Sequence, residues 1–458
     1  MSENFYDKFY KHNKSKAKSK ESEKKSKNFR KNTDAFTEKS ENRKENSWKN
    51  HKNETINNFT APFSIENSLF KTGKLDKISL SVLNDFDEIV QGVKPLNSRQ
   101  LQQLPDNIKA LSHQLTDQRA DRRLGYMNDN VQLSAYVHYY TWWNLLRLTR
   151  LFSNLPSNLF PKTDCVCLDL GSGPLTLVIA LWLARPELRK LKLTWYCLDL
   201  SSNSMALGED IFLSIVSRTL ADSGEETSPW HIIRVKGSFG TSLKQKTDFV
   251  CSANMFNELD QASTMPPEYQ TKKYFDQLKS YAKPSANFLL IEPGVPKASR
   301  TLSLLRTRFI ADGKKVLAPC PHQGECPMNG FKAYTGSQNK WCNFAFTTQD
   351  APQKLQKLSE NAKLPKERAT LSFLAVTSEI SCDDKIKNDT NLFCQVASDS
   401  FFLPEKKYGH YACSELGLLL LRTKENQTLN SGDLISVKIK NPDSLQKDEK
   451  SGAFVIDL

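Results

Sequence analysis

The stretch Leu-Asp-Leu-Gly-Ser-Gly-Pro-Leu-Thr occupies residues 168–176 and completes a short apolar run that begins at Cys165. The run has the length of a strand, and the apolar segment after Pro174 has the length of a helix. Gly171 and Gly173 permit a tight turn between the two and keep side chains away from a ligand. The first turn of the following helix presents unpaired N–H groups. The stretch therefore predicts a strand–turn–helix unit at a nucleotide-type binding site.

Downstream of this unit, short apolar runs alternate with helix-length amphipathic segments. Such alternation with short links predicts a parallel, doubly wound sheet, so the expected fold class is α/β with a Rossmann-like domain over residues 161–315. The predicted strands are Cys165–Leu170, Leu193–Leu198, His231–Val235, Phe249–Cys251 and Asn287–Ile291. The predicted helices are Pro174–Ala184, Asn203–Arg218, Thr271–Ala282 and Ala298–Phe309.

Two features of the glycine turn favour S-adenosylmethionine over a dinucleotide. Asp169 precedes the glycines, and Leu175 stands where a dinucleotide site requires glycine for close approach to the pyrophosphate. Asp199 ends the next predicted strand, where a carboxylate accepts the hydroxyls of a ribose. Asp169, Gly171, Gly173 and Asp199 are therefore the expected cofactor contacts. The alternative is a degenerate turn that no longer binds a ligand.

The fourth predicted strand leads into Ser-Ala-Asn-Met-Phe-Asn-Glu at 252–258. Strand ends in this fold face the substrate crevice, so Asn254, Asn257 and Glu258 are expected there, with Asn254 as a further cofactor contact. Glu292, at the end of the fifth strand, either lies on the crevice or only terminates its strand. No residue is singled out as a catalyst for group transfer.

Three cysteines lie among prolines and glycines after the predicted Rossmann-like domain, in the segment 316–350. Cys320, Cys326 and Cys342 are interpreted as metal ligands, because an intracellular location is expected for this chain and disulfides are rare inside cells. Thiolates suit zinc or an iron–sulfur cluster, and the wide spacing favours a cluster, with zinc as the alternative. The fourth ligand is open among Cys382, Cys394, Cys413, His322 and His410.

The remaining segments complete the predicted domain organisation. Residues 1–62 form a basic tail rich in Lys, Asn, Ser and Glu, and residues 1–60 carry +7 of the net charge of +13. Such a composition predicts disorder and salt-dependent affinity for nucleic acid. Residues 63–160 read as helical, with helices at Ser98–Leu115 and Asn130–Leu155. Residues 351–458 read as a β-rich module, with strands at Leu371–Ser378, Leu392–Val396, Leu416–Leu421, Ile435–Ile439 and Ala453–Ile456.

From about residue 120 to 440 the chain resembles the methyltransferase-like proteins of the mitochondrial small ribosomal subunit and their bacterial relatives. The resemblance rests on the turn at 168–174 and on the runs at 257–259, 292–296, 318–322, 341–344, 409–413 and 432–434. It implies a Rossmann-like S-adenosylmethionine methyltransferase fold, a 4Fe-4S cluster and a role in assembly or translation at the small ribosomal subunit. The implied cluster ligands are Cys320, Cys326, Cys342 and Cys413.

The leading hypothesis is a protein that engages the small ribosomal subunit or its rRNA. The alternative is an active S-adenosylmethionine-dependent rRNA methyltransferase. A cluster-dependent radical enzyme ranks last, because four protein ligands leave no open iron. No apolar run has the length of about 18 residues that spans a bilayer, so no membrane partner is expected, and DNA is not expected either. The expected location is the cytoplasm for a bacterial protein and the mitochondrion for a eukaryotic one.

Overall fold

A computed structural model describes residues 60–116, 125–221, 228–261, 264–331, 340–378, 391–425, 427–439 and 441–458. The chain divides into two units, Met1–Asn57 and Asn58–Leu458, and every described residue belongs to the second. The basic tail expected over residues 1–62 lies outside the described residues except for its last three positions.

The larger sheet contains the glycine turn and follows the predicted parallel alternation. Its strands run in the spatial order β4-β3-β2-β5-β6-β9-β7, with β8 paired to β9. The strands β2 to β6 are parallel, whereas β9 is antiparallel to both of its neighbours. The bounds are β2 (Cys165–Leu170), β3 (Leu193–Asp199), β4 (His231–Lys236), β5 (Thr247–Ala253), β6 (Ala282–Glu292), β7 (Lys315–Ala318), β8 (Phe344–Thr347) and β9 (Arg368–Thr377). The prediction of an α/β, Rossmann-like fold is confirmed.

Strand β9 corrects one expectation from the sequence. The sequence pattern predicts that the apolar run at Leu371–Ser378 belongs to the C-terminal module. In the structure, Arg368–Thr377 instead forms an inner strand of the larger sheet, between β6 and β7. Its last seven residues are all buried, as expected of a strand covered on both faces. A hydrophobic run predicts burial without specifying which sheet supplies the neighbours, and that choice is made by long-range pairing.

Helices cover the larger sheet on both faces because successive side chains of a strand point to opposite sides. Cys167 belongs to one hydrophobic core with residues of α5, α6 and α7, whereas Leu168 belongs to a second core with residues of α8, α9 and α10. The helices are α1 (Lys77–Asn84), α2 (Phe86–Val93), α3 (Ser98–Thr116), α4 (Asn130–Ala135), α5 (Trp142–Phe152), α6 (Thr176–Ala184), α7 (Ser202–Leu220), α8 (Met255–Gln261), α9 (Pro267–Tyr281), α10 (Pro296–Ala311) and α11 (Gln353–Asn361).

The helix predicted over Asn130–Leu155 is interrupted. A π-helical segment, Tyr136–Thr141, separates α4 from α5. π-Helical segments are rare overall, and those that occur are often found at functional sites. This one places the rings of Tyr139 and Tyr140 beside Lys366, far away in the sequence.

The smaller sheet is formed mainly by the C-terminal part of the chain. Its strands run in the order β1-β14-β10-β12-β13-β15, with β11 paired to β12. Strand β1 comes from the region predicted to be helical, which is a second correction; it pairs with β14 through backbone hydrogen bonds that the local pattern does not reveal. The bounds are β1 (Phe63–Ser68), β10 (Asn391–Val396), β11 (Phe401–Leu403), β12 (Lys407–Ser414), β13 (Gly417–Thr423), β14 (Asp433–Lys438) and β15 (Phe454–Asp457).

Helix α7 packs directly on the backbone of the glycine turn. A Cβ atom at Gly208 of this helix would lie 2.4 Å from the carbonyl carbon of Pro174 and 2.6 Å from its oxygen. Only a glycine allows that approach without displacing the helix or the turn.

The variant Gly208→Ala is therefore expected to lower the free energy of unfolding by about 1–3 kcal/mol, as overpacked sites do. The matched control is Gly92→Ala in α2, where an added Cβ meets nothing within 4 Å. The control should raise the free energy of unfolding by up to about 1 kcal/mol through helix propensity. Urea denaturation of both variants tests the contrast, and equal effects would contradict the close packing.

Candidate functional site

The glycine turn joins β2 to α6 at the carboxyl edge of the parallel strands. Gly171 and Gly173 have φ values of +68° and +50°, which L side chains rarely adopt. The N–H of Gly171 donates to the carbonyl of Leu198 (2.8 Å), which fixes the turn against the end of β3. Leu175 also has a positive φ, +56°, and is fully buried, so a non-glycine residue holds a strained conformation at the start of the helix.

Two carboxylates lie at this turn. Asp199 accepts from the N–H of Gly173 (2.9 Å) and from the N–H of Ser201 (2.8 Å), one to each carboxylate oxygen. Asp169 is 1% exposed, and its Oδ2 has no hydrogen-bond partner among the described residues. Burial, and then the neighbouring Asp199 carboxylate, raises the pKa of Asp169 well above its usual range. Burial also raises the pKa of Asp199, against the hydrogen bonds from Ser201 and Gly173, so the environment disfavours ionisation of both carboxyls.

Residues that the sequence did not single out flank the turn. The side chain of Met127 lies beside Gly173, whose added Cβ would be 3.6 Å from the Met127 Cε atom. Ser201 donates through its hydroxyl to Asn128 Oδ1 (2.9 Å). On the other side, Met255 lies 3.0 Å from the position of a Cβ at Gly171. No local sequence pattern predicts these contacts, because they join segments that are distant in the sequence.

The polar residues at the ends of the fourth and fifth predicted strands contact different groups. Asn254 follows β5 with a φ of +64°, and its side-chain oxygen accepts from Arg147 Nη2 (3.1 Å). Glu292 is fully buried and accepts from the N–H groups of Phe256 and Asn257 (both 2.9 Å). Burial raises the pKa of Glu292 to about 8, although these two hydrogen bonds oppose the shift. Glu292 therefore caps the start of α8. The sequence had left open whether this residue lies on the crevice or only terminates its strand.

Three cysteines of the segment between β7 and β8 line one small cavity of about 20 Å³. They are Cys320, Cys326 and Cys342, and the other walls come from α10 and β9. The carbonyl of Cys342 accepts from the hydroxyls of Ser299 (2.8 Å) and Ser372 (2.7 Å), which fixes its backbone. The structure thus brings the three cysteines of the sequence motif together.

The fourth cysteine comes from the smaller sheet. Cys413 lies on β12 and is 5% exposed. Burial raises the pKa of its thiol, and the nearby thiols of Cys320, Cys342 and Cys326 raise it further. Lys340, two residues before Cys342, lies over the ring of Tyr411 on the same strand, 3.9 Å from its centroid.

Of the other sequence candidates for a fourth ligand, Cys394 fits less well, because its pKa is raised by burial and by Glu415, not by the three cavity cysteines. His322 of the same segment and His410 of β12 are buried. Among the described residues, both ring nitrogens of His322 and Nδ1 of His410 have no hydrogen-bond partner, so both residues stay open as ligands. Cys382 lies outside the described residues.

Arg306 of α10 is a residue of this region that sequence reasoning missed. It is 3% exposed, and its Nε donates to the sulfur of Cys320 (3.2 Å). Its other nitrogens donate to the carbonyls of Gly324 (2.7 Å) and His322 (2.8 Å). Burial raises the pKa of the Cys320 thiol to about 11, while Arg306 opposes that shift. A buried guanidinium therefore both orders the loop and offers positive charge to a sulfur.

Over the described ranges, no group of three or more His, Cys, Asp or Glu side chains is placed so that it could hold a metal ion. The metal-binding role of the segment 316–350 accordingly stays a prediction. Among the helices described here, none is long and apolar enough to pass through a bilayer.

Comparisons with known proteins cover part of the chain. The family model described as mitochondrial small ribosomal subunit Rsm22 matches residues 153–386, just over half of the chain. No curated protein matches the sequence. Similar solved structures include a ribosomal protein L11 methylase from Lactobacillus delbrueckii subsp. bulgaricus, at 16% identity and a TM-score of 0.24, over 37% of this chain and 68% of that one. Another is a SAM-dependent methyltransferase from Geobacter sulfurreducens in complex with S-adenosyl-L-homocysteine, at 12% identity and a TM-score of 0.27, over 52% and 90%.

The span matched by the family model contains the glycine turn, Asp199, Asn254 and the three cavity cysteines, and it ends before Cys413. The family is the one that the sequence motifs had indicated. The chain belongs to the Rsm22 family of the mitochondrial small ribosomal subunit.

Proposed function

We propose that this chain is a methyltransferase-like protein that binds S-adenosylmethionine and a 4Fe-4S cluster and acts in assembly or translation at the small ribosomal subunit. The observation that carries the proposal is the proximity of four thiols: Cys320, Cys326 and Cys342 of the segment between β7 and β8, and the buried Cys413 of the smaller sheet. Family membership supports the link to the small subunit. The compartment in which the protein works stays a prediction.

The residues at the glycine turn fit S-adenosylmethionine. The cofactor carries a sulfonium and an ammonium group, and the turn offers the carboxylates of Asp169 and Asp199, the first with an unpaired oxygen. A dinucleotide site would instead require glycine where Leu175 stands, for close approach to the pyrophosphate. Each oxygen of Asp199 accepts one backbone N–H and keeps acceptor capacity for a ribose hydroxyl. Asp169 would face the cationic part of the cofactor.

The donor set fits a 4Fe-4S cluster. All four groups are thiols, and thiolates are the ligands that such clusters take, with zinc as the alternative. Bound there, the cluster would supply folding energy, because its ligands come from parts of the chain that are otherwise free to separate on unfolding. Arg306 would place positive charge and an N–H donor at the sulfur of Cys320, which holds that side chain in position.

Co-sedimentation with purified small ribosomal subunits tests the ribosomal part of the proposal. We expect the full chain, purified without oxygen, to pellet with small subunits at low salt and to be released as the salt concentration rises, since phosphate contacts are salt-dependent. Large subunits serve as the matched control. Equal pelleting with both subunits would contradict a role at the small one.

An active rRNA methyltransferase is the second candidate. It is favoured by Asn254, which holds a left-handed backbone conformation at the end of β5, and such strain clusters at active sites. Methyl transfer depends mainly on positioning of donor and acceptor, so a marked general base is not required. Incorporation of labelled methyl groups into undermethylated small-subunit rRNA would separate this candidate from a purely structural role.

A further inference from the structure

A second recess, distinct from the thiol cavity, opens next to Asn254 and is rich in positive charge. It has a volume of about 220 Å³ and lies between α5, the end of β6 and the start of β9. Three of its lining residues are cations and none is acidic. The lining residues are Trp143, Asn144, Arg147, Pro293, Lys366, Arg368, Ala369 and Thr370.

Arg147 is the buried cation of this recess. It is 9% exposed, and it donates to the carbonyl of Thr370 (3.0 Å) and to the side-chain oxygen of Asn254 (3.1 Å). Its Nε has no hydrogen-bond partner among the described residues. The nearest acid that affects it, Glu292, is already engaged by the N–H groups at the start of α8. Among the residues that the structure describes, Arg147 therefore has no salt-bridge partner.

Lys366 is the second cation. The residue as a whole is exposed, but its ammonium lies over the rings of Tyr139 (5.1 Å), Trp143 (5.3 Å) and Tyr140 (5.8 Å). Burial, followed by the nearby Arg147, lowers the pKa of Lys366 to about 8. The rings offer weak attraction and no negative charge, so two cations are held near each other without compensation.

The third cation, Arg368, pairs with Asp399 and lies at the rim. Its position gives the recess a charged entrance above a charged floor. This volume lies below the roughly 300–1,000 Å³ of sites for drug-sized ligands and suits a smaller charged group such as a phosphate. The recess also adjoins Asn254 and Pro293, the residues that follow two parallel strands, where ligands of open α/β sheets bind.

We propose that this recess binds a phosphate group of RNA, with the buried Arg147 and the adjacent Lys366 as phosphate contacts and Arg368 at the entrance. An anion supplies the charge that the recess lacks, and guanidinium and ammonium groups are the usual partners of phosphate oxygens. Because the recess is open to solvent, one phosphate of an RNA chain can enter it while the rest of the chain stays outside. The inference deepens the proposed function by naming where RNA is held, but it does not depend on the cluster or on methyl transfer.

The test uses the full chain and a labelled single-stranded RNA oligonucleotide, with binding followed by fluorescence anisotropy over a series of salt concentrations. Lys366→Gln should weaken binding about tenfold, the effect of one charge-assisted contact, and should reduce the slope of log K against log salt by about 0.7. Arg368→Gln should weaken binding less. The matched control is Lys357→Gln on α11, an exposed lysine outside the recess, which removes the same charge and should leave affinity and slope unchanged. The basic N-terminal tail is present in every variant, so its contribution cancels.

Inorganic phosphate distinguishes the source of the anion. Millimolar phosphate, compared with chloride at equal ionic strength, should raise the thermal midpoint of the wild type and of Lys357→Gln but not of Lys366→Gln. Equal RNA affinities for Lys366→Gln and Lys357→Gln would overturn the proposal. If phosphate protection alone depends on Lys366, the recess takes a free phosphate and the RNA assignment is wrong. The pelleting assay with small subunits is run on the same variants. If Lys366→Gln loses RNA affinity but still pellets with small subunits, the recess is supported as an RNA site. The two assays therefore test the recess and the ribosomal role separately.

Discussion

Replacing Cys413 by alanine is expected to deprive the protein of its iron and of its visible absorbance after anaerobic purification. Cys413 is the one proposed ligand that comes from the smaller sheet, so its loss also removes the link between β12 and the segment that carries the other three thiols. Loss of partners that only support metal ligands costs 10–100-fold in affinity, and loss of a ligand should cost more than about 100-fold. Iron analysis and the absorption spectrum of the variant measure the effect.

The matched control is Cys394→Ala. Cys394 is a fully buried cysteine on the neighbouring strand β10, and its thiol is not coupled to those of the three cavity cysteines. Replacing it creates a similar small cavity without removing a proposed ligand. Iron retained by Cys394→Ala and lost by Cys413→Ala supports the assignment. A colourless wild type with stoichiometric zinc would leave the four-thiol site intact and exclude the cluster.

The second large effect is expected from Asp199→Asn, in binding of S-adenosylmethionine. The asparagine keeps the shape of the side chain, but its NH₂ group faces a backbone N–H that the carboxylate accepted, and the charge is lost. A hydrogen bond to a charged group contributes about 1.5–3 kcal/mol, so the affinity should fall about 10- to 100-fold. Isothermal titration of the wild type and the variant with S-adenosylmethionine and with S-adenosylhomocysteine measures the change.

Asp164→Asn provides the comparison for that experiment. Asp164 accepts from the N–H of Lys192 (2.8 Å) and precedes β2, at the amino edge of the same sheet. Its replacement removes the same charge at a turn of similar construction, away from the glycines. If both variants bind the cofactor as tightly as the wild type, Asp199 has no part in binding. If both lose affinity equally, the effect is general to the sheet.

These experiments separate two functions that the fold keeps apart. The glycine turn and its carboxylates lie at the carboxyl edge of the parallel strands, whereas the cavity cysteines lie between α10, β9 and the smaller sheet. We expect Cys413→Ala to affect S-adenosylmethionine binding only through stability, and Asp199→Asn to leave iron content unchanged. The glycine turn would then bind the cofactor, and the four thiols would hold the smaller sheet to the segment between β7 and β8.

The parallel core was predictable because its signals are local. A strand, two glycines with positive φ and a helix follow one another within residues 165–184, and only glycine adopts those backbone angles without strain. Asp169 and Asp199 could be placed for the same reason, since each lies at the end of a strand whose apolar run is evident. Cys320, Cys326 and Cys342 lie close together in the sequence, which made their association easy to foresee.

Long-range contacts decided the rest. Arg147 meets Asn254 across 107 residues and Thr370 across 223, so the cationic recess has no signature in any one segment. The strand at Arg368–Thr377 joins the larger sheet, and Cys413 reaches the cavity thiols only because the smaller sheet packs there. Side-chain periodicity determines which face of a segment is buried. The partner of that face depends on how the whole chain pairs its strands and packs its hydrophobic cores, which local sequence does not encode.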